Sequence, residues 1–544
     1  MADEPTPSGG EPASPFTNLD DYNAVPRVAG LVLSPDGSRL VCTVQTLSPD
    51  GTSFQTSIWD VDPDGVRPAR RLTRSAAGEA APAFTPDGDL LFVSKRPDSG
   101  PKDKDAGDDV PALWSLPAAG GDPRRIAAAP GALTGVLVAK RTGTVVVAGS
   151  VLPGAADGDA ERRKARKDAG VSALLHEATP VRHWDHDLGP DEIRFFVAEP
   201  ASDDREEMPS KLRDLTPSAG RSLEEAAVTI SDDGAFVVAS WWRRGGRGTE
   251  ARSITQVDTA TGDQRTLATT EDPSRDPSYW YDHPAISPDN RFVVCVQETE
   301  ATYDRVPRLT LWLIDLATGA GRDLLPDFRY WPVDPVFSVD SRAVFFVADE
   351  NGRCPVFRVD LDTGNVVRLA GDATFGSVNV APDGRHLFAL RAGIDHPLTP
   401  VRLDVDAVDQ QATALRGPGR PLDVPGRVEE VETTAPDGAR VRGWLVLPEG
   451  ASADNPAPLA LWVHGGPLMS WNAWSWRWNP WLLAARGWAV LLPDPGLSQG
   501  YGDDFIQRAW GNWGPVPFAD LMAITDATIA RADIDETRTA AMGG

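Results

Sequence analysis

The chain has 544 residues, which exceeds one ordinary hydrophobic core, so two or more domains are expected. Its formal net charge of −26 argues against a nucleic-acid partner, which needs a basic surface. Three widely spaced cysteines, Cys42, Cys295 and Cys354, suit buried thiols in a reducing compartment and not a disulfide frame; no apolar run reaches the roughly 18 residues of a membrane helix, and cytoplasm is the expected location.

Residues 1–19 read as a disordered acidic tail. The first 16 residues are rich in Pro, Gly and Ser and lack the basic and apolar regions of a signal peptide.

Residues 20–425 carry a repeat: an apolar residue, then Ser-Pro-Asp-Gly or a variant, two spacers and an apolar strand. Copies are Leu33-Ser34-Pro35-Asp36-Gly37, Phe84-Thr85-Pro86-Asp87-Gly88, Ile230-Ser231-Asp232-Asp233-Gly234 and Ile286-Ser287-Pro288-Asp289-Asn290. Phe337-Ser338-Val339-Asp340-Ser341 and Val380-Ala381-Pro382-Asp383-Gly384 follow, and Ala139-Lys140-Arg141-Thr142-Gly143 is a degenerate copy. Proline presets φ for such a turn, and Gly or Asn accepts the positive φ that reverses the chain. A second strand ending in an Asp/Gly turn follows, as in Leu311-Trp312-Leu313-Ile314-Asp315 before Ala317-Thr318-Gly319. Two hairpins per repeat of about 50 residues make one four-stranded blade, so the seven copies predict a seven-bladed β-propeller. A β-sandwich would not repeat the same turn chemistry at near-constant spacing.

The interval near 150–225 is longer than the others and reads as an insertion. It holds a charged helical stretch, 161–167, and His183-Trp184-Asp185-His186-Asp187. Two histidines at i, i+3 beside carboxylates invite a metal reading, but no cysteine or HExxH context accompanies them, and a solvated insertion or blade edge is the stronger expectation. A propeller by itself serves as well for binding as for catalysis.

From 426 to 544 the period changes. Residues 428–433, the turn Pro436-Asp437-Gly438 and residues 441–447 form a hairpin. Leu459 to Val463 is an apolar run without alternation, the mark of a strand buried on both faces. It ends in His464-Gly465-Gly466-Pro467, where glycines let backbone N–H groups approach a ligand. Such N–H groups can form half of an oxyanion hole, as in the turn after the third strand of an α/β-hydrolase. The tryptophans at 474, 478 and 481, with Ala485, keep helical spacing and read as core before Gly487 ends the helix. Residues 488–494 form a second buried strand and 505–510 a short helix. Phe518, Leu521, Met522, Thr525 and Ile529 mark one face of an amphipathic helix, and 537–542 is the next strand. The whole is an all-β propeller followed by a partial α/β-hydrolase domain.

Gly496-Leu497-Ser498-Gln499-Gly500 fits G-x-S-x-G, yet Pro493-Asp494-Pro495 separate it from the strand and no histidine follows it. The fold requires Ser, then acid, then His, so Ser498 is expected to be a decoy and His464 a structural turn residue.

These residues resemble the prolyl oligopeptidase family of serine peptidases, in particular its acylaminoacyl-peptidase and dipeptidyl-peptidase-like branch. The resemblance rests on His464-Gly465-Gly466-Pro467, Trp478-Asn479-Pro480 leading to Ala485-Arg486-Gly487, Gly500-Tyr501-Gly502 and Trp510-Gly511. Asp520, Asp526 and Asp533-Ile534-Asp535 before Arg538 complete it. It implies peptide-bond hydrolysis through an acyl-enzyme, a short-peptide substrate admitted past the propeller, and no metal or organic cofactor. No membrane is implied, and an oligomer is compatible with it. The family nucleophile follows a glycine pair like Gly543-Gly544, so it is expected directly after Gly544, with the acid and base further on. The site residues expected here are Gly466, as one oxyanion donor, and Gly465, which shapes the turn. Residues 1–544 alone are expected to be inert. Where relatives carry Arg-Gly-Ser, this chain has Gly496-Leu497-Ser498. The rivals are a non-catalytic propeller with a hydrolase remnant, and an esterase on the same scaffold.

Overall fold

The computed structural model describes residues 14–97, 110–154, 158–176, 180–183, 186–199, 210–244, 250–270 and 278–544. Among these, seven four-stranded antiparallel sheets follow one another, from Arg27–Leu33 in the first to Thr413–Ala414 in the seventh. The first strands of successive sheets touch in a closed ring, with Thr374–Val380 of the last against Arg27–Leu33 of the first. This is the seven-bladed propeller.

Each copy of the repeated turn is the hairpin between the first two strands of its blade. In the first copy the Ser34 hydroxyl donates to Asp36 Oδ1 (2.6 Å) and accepts from the Arg39 N–H (2.9 Å). Ser231, Ser287 and Ser338 repeat the bond to their own aspartates at 2.6–2.8 Å. The motif recurs because its side chains satisfy the backbone of the reversal locally. Among the described residues the ring closes without a shared strand. Instead Asn379 accepts from the Leu33 N–H (3.3 Å) and donates to the Leu31 carbonyl (3.0 Å), joining the last blade to the first.

The insertion lies between the second and third strands of the third blade, Val145–Val151 and Glu192–Glu199. It contains the helix Asp159–Asp168 and a two-residue hairpin in which His183 pairs with His186. Trp184 and Asp185 lie outside the described residues. The expected tail needs a correction at its end. Residues 1–13 are outside the described residues, but Phe16 is fully buried against Tyr22 and Trp474, and its carbonyl accepts from Arg486 (3.2 Å). A large aromatic ring outweighs the polar composition around it.

The second unit is a five-stranded sheet: β1 (Gly426–Thr434), β2 (Arg440–Pro448), β3 (Ala457–Val463), β4 (Ala489–Asp494) and β5 (Ile534–Gly543), in the order β1-β2-β4-β3-β5. β3 runs parallel to both β4 and β5, while β1 and β2 are antiparallel. Its helices are α1 (Trp481–Ala484), α2 (Asp503–Ala509) and α3 (Pro515–Ile529). One face packs Trp444, Val446, Ala460, Trp462, Trp471, Trp481, Val490 and Leu492, and the other packs Leu445, Leu447, Leu459, Leu491 and Ile524. That double burial is why β3 and β4 lack alternation.

Two helix expectations change. The tryptophan stripe is helical only from Trp481; residues 471–480 are irregular, because Asn479 and Ser475 turn the chain (Asn479 Nδ2 to Ser475 carbonyl, 3.0 Å), and Trp474 meets Trp476 edge-on with ring centroids 5.5 Å apart. In α3 the buried residues are Asp520, Ile524 and Thr528, while Phe518 and Met522 are 64% and 42% exposed. The helix is rotated because Asp520 is drawn inward by Arg508 and by the Gly496 N–H (2.7 Å), and charge pairing overrides the apolar stripe.

Loops of the fifth to seventh blades hold this unit. Trp510 Nε1 donates to the Thr302 carbonyl (2.7 Å), Trp331 Nε1 to Asp503 (3.0 Å) and Trp481 Nε1 to the Ile394 carbonyl (2.8 Å). The sixth-blade loop approaches so closely that a Cβ on Gly352, which has φ +72°, would stand 1.9 Å from Arg442 Nη1. Gly352→Ala is therefore expected to destabilise the protein by about 2 kcal/mol or more, through strain and a clash with a buried guanidinium; urea denaturation checks it, and a loss below about 0.5 kcal/mol would contradict this close packing.

Candidate active site

β3 leaves the sheet after Val463, whose partner on β5 is Gly543. The next residues form the turn. Gly466 has φ +119° and a cis bond to Pro467, and a Cβ there would lie 2.9 Å from the Leu468 nitrogen. Its N–H donates to no group among the described residues, and Gly465 and Gly466 are both exposed. A Cβ on Gly465 would stand 3.1 Å from the Gly544 carbonyl oxygen, so the turn and the end of β5 are side by side.

The turn is anchored from below by Asp494, the last residue of β4. Its fully buried carboxylate accepts from the Ser470 hydroxyl (2.8 Å), the Trp471 N–H (2.9 Å) and the Tyr501 hydroxyl (2.6 Å). His464 Nε2 lies 3.6 Å from it. Burial pushes the Asp494 carboxyl above the usual carboxylate range, against the pull of His464 and its hydrogen-bond donors. Burial and then the neighbouring Asp494 charge raise the Tyr501 phenol well above its ordinary value.

His464 and Ser498 do meet: Nε2 is 2.9 Å from Ser498 Oγ. A Ser-His-Asp relay needs the serine on one ring nitrogen and the acid on the other. Here serine and acid both face Nε2, while Nδ1 faces the Gly465 carbonyl (2.9 Å). Ser498 is also fully buried, in a turn between the end of β4 and the start of α2. The trio fastens the turn to the loop beneath it. Leu497 has φ +82° and is buried with Val306, Ile506 and Ala509.

A cavity of about 510 Å³ opens between the turn and the end of β5. Trp462, Trp471, Trp474 and Trp478 line it, with Gly466 and Gly544 at its edge. The indole Nε1 atoms of Trp462, Trp471 and Trp474 are buried without a hydrogen-bond partner among the described residues. These rings are both core and cavity wall. Nothing in the sequence marks the Asp494 network, since Ser470, Asp494 and Tyr501 share no motif; an aspartate closing an apolar strand is the one available signal.

Residues 474–544 match the model of the prolyl oligopeptidase family. That stretch, from the tryptophan loop to the end of β5, is similar to the family's hydrolase part. Among curated relatives, dipeptidyl-peptidase 5 of Schizosaccharomyces pombe is 28% identical over 200 residues, 36% of this chain and 29% of that protein. Dipeptidyl-peptidase 4 of Giardia intestinalis is 29% identical over 229 residues, 37% of this chain and 30% of that protein. Dipeptidyl-peptidase 5 of Trichophyton equinum is 24% identical over 404 residues, 68% of this chain and 53% of that protein. The chain thus spans roughly a third to a half of the length of these curated relatives. Among solved structures, an acylaminoacyl peptidase in complex with Z-Gly-Gly-Phe-chloromethyl ketone superposes with a TM-score of 0.70 at 14% identity, covering 97% of this chain and 74% of that one. A puromycin hydrolase gives 0.62 at 18% identity, covering 97% and 75%. Both share the propeller-plus-hydrolase fold.

Asp494→Ala strips three buried donors of their acceptor, and a loss of about 3–5 kcal/mol is expected in urea denaturation. Ser498→Ala removes a single hydrogen bond and is expected to cost about 1 kcal/mol.

Proposed function

We propose that residues 1–544 supply the propeller and the anion-receiving face of a serine peptidase that hydrolyses short peptides through an acyl-enzyme. What supports this is the N–H of Gly466, which has no acceptor among the described residues, in the lining of the cavity beside the end of β5. A serine at the C-terminal end of β5, past Gly544, attacks the scissile carbonyl. Negative charge develops on the carbonyl oxygen, and the Gly466 N–H meets it as one of two donors, the other being the backbone N–H after the serine. Gly465 keeps the approach clear. A histidine and an acid from outside residues 1–544 move the proton and orient the base.

The tryptophan-lined cavity has the volume of a side-chain pocket, and its unpaired indole N–H groups favour an aromatic or long apolar substrate side chain with an acceptor at its far end. The bound inhibitor of the acylaminoacyl peptidase neighbour ends in phenylalanine, which agrees in kind. The propeller covers the site and restricts entry to short peptides.

A fluorophosphonate probe tests the proposal. The protein made from its complete reading frame is expected to label at a serine outside residues 1–544, and residues 1–544 alone are expected not to label. Gly466→Ala displaces the donor and should lower kcat by about 10²-fold with KM little changed. Ser498→Ala should leave labelling intact. Labelling that maps to Ser498, or no labelling of either protein, would overturn the assignment; turnover of p-nitrophenyl esters but of no peptide amide would make the enzyme an esterase.

A further inference from the structure

We propose that Asp349, on the rim of the sixth blade, is a positioning residue for the Gly466 turn, acting through Asn472, so that the propeller sets the geometry of the site it covers. The catalytic part of this proposal rests on the peptidase assignment above.

Asp349 Oδ1 accepts from Asn472 Nδ2 at 2.7 Å. The Thr374 hydroxyl, at the start of the seventh blade, donates to the Asn472 carbonyl at 2.6 Å. Asn472 is therefore held at its side chain by one blade and at its backbone by the next. The residue before it, Trp471, gives its N–H to Asp494, and Ser470 gives its hydroxyl to the same carboxylate. Behind them, Gln499 holds the turn again through the carbonyls of Leu468 (2.6 Å) and Met469 (3.2 Å). The sixth-blade loop also reaches this second segment, because the Asn351 N–H donates to the Gly500 carbonyl at 2.9 Å. One propeller loop thus grips both stretches of chain that converge on Asp494, and Gly466 stands four residues before Ser470.

Asp349 also titrates in a useful range. Burial raises its carboxyl to about 6, against the Cys354 thiol of its own hairpin and the Asn472 amide, and with the Asp494 charge at the end of β4 adding to the rise. The adjacent Glu350 is engaged with Arg368 at 2.5 Å. Above that pH Asp349 holds Asn472 by a charge-assisted hydrogen bond; below it the bond is between neutral groups and weaker. The effect on folding has the opposite sign. An aspartate raised above its unfolded value of about 3.9 contributes stability that is full below about pH 4 and is lost as pH rises through about 6. Asp349 is thus held charged at neutral pH at the expense of stability, as expected of a group that positions and does not merely pack.

Asp349→Asn keeps the shape and removes the charge; Thr374→Val removes the second grip on Asn472. Tryptophan emission of residues 1–544 is expected to change with a midpoint near pH 6 and to lose that transition in Asp349→Asn, a readout that needs no nucleophile. Asp349→Asn should melt higher than the parent at pH 8 and equally at pH 4. In the full-length protein, both variants should lower the maximal fluorophosphonate labelling rate at pH 8 about fivefold with the probe's half-saturating concentration unchanged. An unaltered emission titration in Asp349→Asn, or labelling at the parental maximal rate in both variants, would overturn the proposal. If the full-length parent does not label at all, the peptidase assignment falls, and the emission titration still decides whether Asp349 controls the turn.

Discussion

A carboxylate shut away from water must be met by hydrogen-bond donors, and Asp494 at the end of β4 is the clearest instance in this protein. Its donors come from two directions: Ser470 and Trp471 from the turn after β3, and Tyr501 from the loop after β4. An unsatisfied charge at that depth would cost several kcal/mol, so neither loop can drift without penalty. The turn is therefore anchored at its base, while the N–H of Gly466 at its crest has no acceptor among the described residues. Preorganisation of this kind lets a donor stabilise developing charge without moving at the moment of reaction.

His464 and Ser498 belong to the same scaffold. Their contact has the composition of a catalytic pair but the wiring of a strut, since both polar neighbours crowd one ring nitrogen. The aromatic residues on that side of the sheet serve two ends at once. Trp462 and Trp471 fill the core beneath the turn, yet their indole nitrogens lack acceptors among the described residues beside an open cavity. Buried donors without partners are rare in folded proteins, and a ligand that brings an acceptor relieves them.

The propeller is joined to the second unit by hydrogen bonds. Asn379 joins its last blade to its first, and the loops of its fifth to seventh blades reach into α1, α2 and the turn itself. Such contacts tie the propeller to the loops that converge on Asp494. The N-terminal segment adds a further tie through Phe16 and Tyr22, which pack on the tryptophan loop from a sequence distance of more than 400 residues.

Much of the architecture was legible in the residues alone. The Ser-Pro-Asp-Gly turns closed themselves with their own side chains, so each copy marked a hairpin wherever it occurred, and seven copies meant seven blades. The unalternating runs of β3 and β4 named a sheet buried on both faces, and the glycine pair after β3 marked where its backbone would be bare. These are short-range properties that depend on a few consecutive residues. What the tertiary structure alone decided was which distant groups would share a buried charge. Asp520 rotated α3 away from its apolar stripe, Phe16 was taken from a polar tail into the core, and Asp349, Asn472 and Asp494 were brought together from three separate stretches of chain. No local pattern encodes such meetings, because the partner of a buried polar group is chosen by the packing of the whole molecule and not by its neighbours in sequence.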